Sequence, residues 1–192
     1  MPNIQNFRSQ LGDGGARPNQ FAVQINWPTF CSIGNGLDQK TNLLVTGAAA
    51  PASTVNPAII QYRGREVKFA GERIFDPWTI TIVNPNDFGQ RAAFEQWLDG
   101  MNGKDNNEGE LSLGTGIDGY GQDLVVQHLD RNNNAVCEWI LRGAFPINMS
   151  EIALQYAQND ILEEYTVTFQ YQDYIGGEGL RGAGISQTLT FD

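Results

Sequence analysis

The sequence predicts a mainly β domain with a single flanking helix and protruding arms. Several segments place a large apolar residue at every second position, which is typical of strands with one buried face, and only one segment has the helical period. The chain has 192 residues, of which 41% are hydrophobic. That suffices for one domain with a proper core and excludes a wholly disordered chain.

Three segments carry the strand pattern most clearly. Between their apolar residues lie Ala, Asn, Gln or Thr, so each segment is expected to turn one face to a core and a more polar face away from it. Their apolar residues are Phe21, Val23, Ile25 and Trp27 in the first segment, Trp78, Ile80 and Ile82 in the second, and Tyr165, Val167, Phe169 and Tyr171 in the third.

A hairpin is predicted from Leu124–Leu129 and Ala135–Arg142, because the residues between them, Asp130–Asn134, favour turn conformations. The second strand places Cys137 on an apolar face. Cys31 also adjoins strand-like sequence, and neither residue belongs to a Cys-x-x-Cys pair. We expect two buried free thiols, with a disulfide between them as the alternative.

The one helical segment follows Asn84–Asp87. Its apolar residues recur at i, i+3, i+4 and i+7, which predicts a helix that packs against the sheets. They are Phe94, Trp97, Leu98 and Met101. Asn86 or Asp87 is the predicted N-cap, and Gly103 is the predicted C-terminal stop.

A long arm is predicted between the first strand and the helix. Gly47–Pro57 is rich in Ala, Pro and small residues, and Ile59–Phe69 is strand-like. The chain has a net charge of −10. The stretch Tyr62–Arg73 has four cations against two acids, so the rest of the chain, with eight cations against twenty acids, carries −12. The four cations are Arg63, Arg65, Lys68 and Arg73. Gly100–Gln122 and Ile175–Asp192 have no clear period and are predicted to be loops or arms.

The excess of acidic residues argues against partners that a protein binds through their phosphate groups. Nucleic-acid binders and proteins of anionic membrane surfaces present clustered Lys and Arg, whereas this chain has 22 acids against 12 cations. No run of about 18 apolar residues exists, and the first residues lack the basic start and apolar run of a signal peptide. We expect synthesis in a reducing cytoplasm and no membrane binding.

Motifs for enzymatic chemistry are weak. Gly114–Gly119 and Gly177–Gly182 have the glycine spacing of dinucleotide sites, but helical periodicity follows neither. His128, the only histidine, lies mid-strand without a nucleophile motif. The adjacent Glu163 and Glu164 should point to opposite faces, which makes a paired acid and base implausible. We expect no catalytic residue and no cofactor.

Several acidic residues near one loop raise the alternative of a calcium site. Calcium prefers carboxylate oxygens, but the spacing matches no EF-hand loop, so a solvated acidic loop is favoured and no metal site is expected. The residues are Asp105, Glu108, Glu110, Asp118 and Asp123.

Four segments form a recognisable series. They are 15–21 (GARPNQF), 70–82 (AGERIFDPWTITI), 143–150 (GAFPINMS) and 161–171 (ILEEYTVTFQY). In this order, with one helix between the second and the third, they cover roughly Gly12 to Tyr174 and resemble the tail tube proteins of contractile-tailed bacteriophages. The ordered set of four is a specific signal.

This resemblance implies two packed antiparallel sheets, as a β-sandwich or barrel, with one flanking α-helix. It implies a structural virion protein whose hexameric rings stack into the inner tube of a contractile tail and whose inner strands join into a continuous barrel. Residues 1–192 would be one tail tube domain, with a core at about 15–174, an N-terminal arm at 1–14 and a C-terminal extension at 175–192. Assembly would take place in the host cytoplasm.

The resemblance also implies partners. Sheath, baseplate and tail terminator proteins would contact the tube, and the tape-measure protein and DNA would pass through its lumen without specific binding. In the family, ring-to-ring contacts involve a long loop or hairpin, here Ala49–Phe69. We expect acidic groups of the next ring to meet Arg63, Arg65, Lys68 and Arg73. The chain departs from the family pattern at the insertion-like Ser32–Gln39 and beyond Tyr174. For these two segments three alternatives stay open, namely contact with the sheath, a place in a neighbouring subunit's groove, or mobility.

The charge fits a DNA conduit. Six copies at −10 would give a ring about −60, and a wall of that sign repels a duplex, so that DNA slides through. The Thr and Gln faces of the strands at 78–82 and 165–171 are candidates for a polar lining.

Two other functions stay open. A DNA-free contractile particle, such as a bacteriocin or a type VI secretion system, has a tube protein of the same fold. A monomeric carbohydrate-binding or glycosidase-like β-sandwich would also be acidic and rich in aromatic residues. It would need exposed aromatic platforms or two convergent carboxylates, whereas the aromatic residues here lie on apolar strand faces.

Overall fold

The computed structural model describes residues 3–11, 15–105, 109, 117–157, 159 and 161–179. The helices in this part of the chain are α1 (Ile4–Leu11), α2 (Asp38–Leu44), α3 (Gly89–Met101) and α4 (Ile117–Tyr120), with a 3-10 turn at Ser32–Gly34. The strands are β1 (Phe21–Gln24), β2 (Val45–Ala48), β3 (Ser53–Tyr62), β4 (Arg65–Phe75), β5 (Trp78–Val83), β6 (Gln122–Leu129), β7 (Ala135–Met149), β8 (Glu164–Gln170) and β9 (Asp173–Gly179). None of the described helices is long and apolar enough to cross a membrane.

Two antiparallel sheets share the long strand β7. Its first part pairs with β6 and β9, and β1 extends that sheet beyond β6. Its last part pairs with β8, which is followed by β5 and β2. The change of partner follows Gly143, whose φ of 57° lies in the left-handed region that glycine adopts without strain. The predicted mainly β fold with antiparallel sheets is confirmed, as is the β6–β7 hairpin.

The hydrophobic core joins both sheets to α3. Alternate residues of β5 and β8 are buried, as the period of two predicts, and they pack with α3 and with β6 and β7. The rings of Phe94 and Trp97 from α3 lie 6.0 and 6.2 Å from the ring of Phe169. The indole Nε1 of Trp97 donates a hydrogen bond of 2.9 Å to the carbonyl of Tyr120. The predicted helix is therefore the element that closes the core.

Three element boundaries differ from the prediction. The N-cap of α3 is Phe88 rather than Asn86 or Asp87, although Asp87 Oδ1 still accepts a 3.2 Å hydrogen bond from the Gly89 amide. The helix ends at Met101, with Asn102 instead of Gly103 as its cap. Strand β1 stops at Gln24, because the amide of the buried Ile25 donates to Asn42 Oδ1 at 2.9 Å instead of to a neighbouring strand.

The prediction missed three short helices and two strands. The N-terminal segment contains α1, and both α2 and the unpredicted strand β2 follow β1. Ile175–Asp192 was predicted to be irregular, but its described part belongs to β9, and residues 180–192 lie outside the described residues. Gly100–Gln122 contains the end of α3, α4 and the start of β6, while residues 106–108 and 110–116 lie outside the described part.

The first residues of the insertion-like segment Ser32–Gln39 pack against α3. Gln96 Oε1 accepts a 3.0 Å hydrogen bond from the Ile33 amide, and Gln96 Nε2 donates to Ser32 Oγ at 3.2 Å. Just before it, the Cys31 thiol donates to the Ala93 carbonyl at 3.2 Å. The start of this segment is therefore tied to the chain's own helix.

Candidate subunit interface

Strands β3 and β4 form a two-stranded ribbon, Ser53–Phe75, that pairs with neither sheet. Between them, Arg63 and Gly64 have φ values of 47° and 83°. Both values lie in the left-handed region, as a two-residue hairpin turn of type I′ requires. The strand-like segment Ile59–Phe69 is therefore two strands that reverse at Arg63–Gly64. The long loop or hairpin expected from the family resemblance is a hairpin in the structure.

The two faces of the ribbon differ in polarity. Residues that pair directly across two strands lie on the same face. One face therefore carries the pairs Ala58 with Phe69, Ile60 with Val67 and Tyr62 with Arg65, and the other carries Ile59 with Lys68 and Gln61 with Glu66. The apolar side chains of the first face are exposed, Ile60 to 58%. We call it the apolar face of the ribbon.

The structure spreads the four predicted contact residues along the ribbon. Arg63 lies in the turn, with its guanidinium carbon 5.5 Å from the ring centroid of Tyr62. Arg65 lies on the apolar face, Lys68 on the opposite face, and Arg73 nearer the base. Within the described residues, the ion pairs involve other cations. These four charges are therefore available to a partner.

Aromatic residues fix the base of the ribbon. Trp78 Nε1 donates a hydrogen bond of 2.6 Å to the Ala49 carbonyl, and the Tyr171 hydroxyl donates to the Ala52 carbonyl at 3.2 Å. The ring of Phe75 lies 6.0 Å from that of Tyr171. Burial raises the pKa of Tyr171, so its hydroxyl keeps the proton that it donates. The ribbon is thus held at its base and projects from there.

A groove with a volume of about 1050 Å³ lies between the end of β7 and the start of β8. Apolar residues and two carboxylates line it, and Leu154 is 79% exposed. The apolar residues include Ile152, Leu154, Tyr156, Ile161 and Leu162, and the carboxylates are Glu163 and Glu164. We call it the acidic groove.

The ribbon and the acidic groove lie at opposite ends of the sheet that contains β5 and β8. The ribbon leaves beside Trp78, which pairs with Phe169 at one end of this strand pair. The groove includes Glu164, which pairs with Val83 at the other end. Each subunit therefore has a projecting apolar surface at one end and a recessed one at the other.

The face of β5 and β8 that points away from the core is polar. Thr79 pairs with Thr168, and their hydroxyl oxygens lie 3.0 Å apart. Thr81 pairs with Thr166, so the threonines form two rows across the strands. The structure thus assembles the Thr and Gln faces that are the predicted candidates for a lumen lining into one surface.

The other residues singled out by their chemistry are dispersed. His128 lies in β6 opposite Cys137. Both cysteines are free, with Cys31 buried and Cys137 partly buried, and burial raises the pKa of each thiol. Glu163 Oε2 accepts a 3.0 Å hydrogen bond from Asn84 Nδ2, whereas Glu164 is exposed.

The predicted acidic loop is described only in part. Glu108, Glu110 and the side chain of Asp118 lie outside the described residues, as do parts of both glycine motifs. Asp123 Oδ1 accepts a 2.9 Å hydrogen bond from the Gly143 amide. In the described part of the chain, no three His, Cys, Asp or Glu side chains gather in a way that could hold a metal ion.

The chain resembles known proteins in both sequence and fold. The family model described as phage tail tube protein matches residues 16–176. The tail tube protein of Serratia phage KSP90 is 28% identical over 173 residues, which cover 89% of this chain and 95% of that protein. The tail tube protein of Enterobacteria phage T4 is 28% identical over 154 residues, which cover 80% of this chain and 86% of that protein.

Solved structures of contractile systems have a similar fold. A chain of the anti-feeding prophage baseplate superposes with a TM-score of 0.58 at 14% identity, covering 85% of this chain and 95% of that one. A chain of the sheath–tube complex of an extracellular contractile injection system has a TM-score of 0.54 at 14% identity, covering 88% and 95%. Because the family model spans most of the sequence, the chain belongs to the tail tube protein family of contractile-tailed phages.

Proposed function

We propose that this protein is the structural subunit of the inner tail tube, assembled as hexameric rings that stack through the ribbon. The observation that carries the proposal is the ribbon itself, a hairpin fixed at its base that pairs with neither sheet of its own chain. Membership of the tail tube protein family supports a tube as the assembly in which this hairpin is used.

The ribbon is poorly suited to an isolated monomer. Soluble monomers rarely expose contiguous apolar patches above a few hundred Å². The apolar face of the ribbon presents Ile60, Val67 and Phe69 to solvent. Burial of apolar surface contributes roughly 25 cal/mol per Å², so covering this face between rings would stabilise a stack.

The four cations of the ribbon extend this proposal. Arg63, Arg65, Lys68 and Arg73 meet carboxylates of the next ring. Their freedom from ion pairs within the described chain supports this role. Charge reversal at Arg63, Arg65 and Lys68 should shorten or abolish tubes, and unchanged tube length would refute the contact.

The polar face of β5 and β8 is proposed to line the lumen. Hydroxyl and amide groups there offer no cation to a DNA phosphate, and the net charge of −10 per subunit would repel a passing duplex. The genome and the tape-measure protein would then pass without specific binding. A positive wall potential, calculated from a ring structure, would refute this role.

The proposed subunit has no catalytic residue, cofactor or metal, and works through its surfaces. It is a virion component that assembles in the host cytoplasm and contacts sheath, baseplate and terminator proteins. Its fold neighbours support these partners, since they are chains of a baseplate and of a sheath–tube complex. The same neighbours favour a second candidate, the tube of a DNA-free contractile particle, and packaged DNA in the native particle would decide between the two.

Negative-stain microscopy of the purified protein tests the proposal. Rings or tubes of uniform diameter are expected, and tubes should lengthen with protein concentration. A persistent monomer at high concentration would contradict the proposal and favour a monomeric β-sandwich module.

A further inference from the structure

We propose that the apolar face of the ribbon of one copy docks into the acidic groove of a second copy. The inference rests on the proposed function, because it names the surface that receives the ribbon when subunits stack.

The two surfaces match in polarity and size. The ribbon projects Ile60, Val67 and Phe69, and the groove presents Leu154 and Leu162, both well exposed. Pockets of roughly 300–1,000 Å³ accept a drug-sized ligand, so a groove of about 1050 Å³ has room for several side chains of one ribbon face. Docking would cover both apolar surfaces at once.

The charges of the two surfaces are opposite. The described residues that line the groove include Glu163 and Glu164 and no cation, and Glu151 lies next to the first of them. Arg65 lies on the apolar face of the ribbon, so docking that face would bring its guanidinium to the groove. Glu164 is exposed, and among the described residues its carboxylate accepts one side-chain hydrogen bond, from the Thr46 hydroxyl at 3.5 Å, so it can accept others.

The placement of the surfaces favours contact between copies. They lie at opposite ends of the β5–β8 strand pair, so the ribbon projects from the end of that pair remote from its own groove. A contact between two different surfaces of the same protein is heterologous. When the rotation between neighbouring copies does not close into a ring, such a contact adds copies without limit along an axis. A second copy, placed above the first, is therefore the occupant that fits.

Cysteine crosslinking between two variants tests the contact. Both would carry Cys137→Ser, and one would add Tyr62→Cys while the other adds Leu154→Cys; both positions are exposed. The two variants are mixed, assembled into tubes and oxidised. Disulfide-linked dimers should then form only when both variants are present. Leu43→Cys in place of Leu154→Cys is the matched control, because Leu43 is an equally exposed leucine on α2.

The outcomes separate this inference from the proposed function. Crosslinks at least tenfold above the Leu43→Cys control would support docking in the groove. Tubes that form with crosslinks no stronger than the control would overturn the inference and leave the tube function intact. A parent protein that forms no rings or tubes would overturn both.

A charge exchange gives an independent readout. Arg65→Glu and Glu164→Arg should each raise the critical concentration for tube assembly about fivefold, and the double variant should return it to within about twofold of the parent. Failure of the double variant to recover, with both single variants folded by circular dichroism, would overturn the pairing.

Discussion

Tyr165 is buried in β8 beneath Arg91, whose guanidinium carbon lies 5.5 Å from the ring centroid. Its hydroxyl has no hydrogen-bond partner among the residues that the structure describes. Because a buried hydroxyl without a partner costs about 1–3 kcal/mol, Tyr165→Phe should raise the free energy of unfolding at pH 7 by about 1 kcal/mol. Urea denaturation of the subunit measures this change, and a loss of stability of similar size would show that the hydroxyl is bonded.

The same burial predicts how stability depends on pH. It raises the pKa of Tyr165 above the ordinary value of 10.0 and that of Cys31 above 9.0, so the folded state favours both protonated forms. Their contribution to stability is complete below the unfolded pKa values and is lost as pH rises above these values through the raised pKa values of the folded state. Thermal melts should therefore show stability falling above about pH 9. In Tyr165→Phe the decline above about pH 10 should be shallower.

A substitution at Arg63 can distinguish the residue's role in the turn from the role of its charge. Its φ of 47° is a conformation that Asn tolerates better, and Asn-Gly is a favoured pair in such turns. Arg63→Asn should leave the subunit's stability unchanged or raise it by about 0.5 kcal/mol. It should also weaken assembly, because the charge is lost. Calorimetry and sedimentation measure the two effects. Arg65→Asn, within β4, is the matched control without the turn benefit, and unimpaired assembly in Arg63→Asn would contradict the role of its charge.

At the scale of elements, the ribbon should be removable. Ser53 and Phe75 pair at its base, so an Asn-Gly turn can replace Thr54–Ile74. The bonds to Ala49 and Ala52 would remain, and the stability of the core should change by no more than about 1 kcal/mol. Assembly should be lost. Calorimetry and negative-stain microscopy check both expectations, and tubes built from the shortened chain would show that stacking uses another surface.

The elements also show what could be predicted from the sequence. The strands at 78–83 and 164–170 were predictable, because one buried face leaves a period of two. The turn at Arg63–Gly64 was missed because arginine does not signal a left-handed conformation. Strand β9 has three glycines among its seven residues, and its backbone pairing with β7 leaves no side-chain pattern.

Of the two surfaces of the candidate site, only the ribbon could be predicted from the sequence. The cations of the ribbon are close in sequence, so their local excess was visible in the composition of one stretch. The groove combines Ile152–Tyr156 with Ile161–Glu164, which meet only in the folded chain. Apolar residues without a period, such as Leu154 and Leu162, were the only signal that could have indicated it.

At the scale of the whole molecule, the polar lining can be tested by adding charge. Thr79 is exposed on the open face of β5, and Thr79→Lys would add six positive charges to a hexameric ring. If that face lines the lumen, tubes of this variant should retain short DNA duplexes at low salt and release them as salt rises. Co-sedimentation measures retention. Leu43→Lys adds the same charge on α2, and equal retention by both variants would contradict a lumen position for Thr79.

The opposite placement of ribbon and groove gives a stack of subunits a direction. A tube built through that contact ends in unoccupied grooves on one side and in free ribbons on the other. Incoming subunits then meet different surfaces at the two ends, so growth should be faster at one end. The proteins that close the tube must also differ, since one has to supply a ribbon-like plug and the other a receptacle.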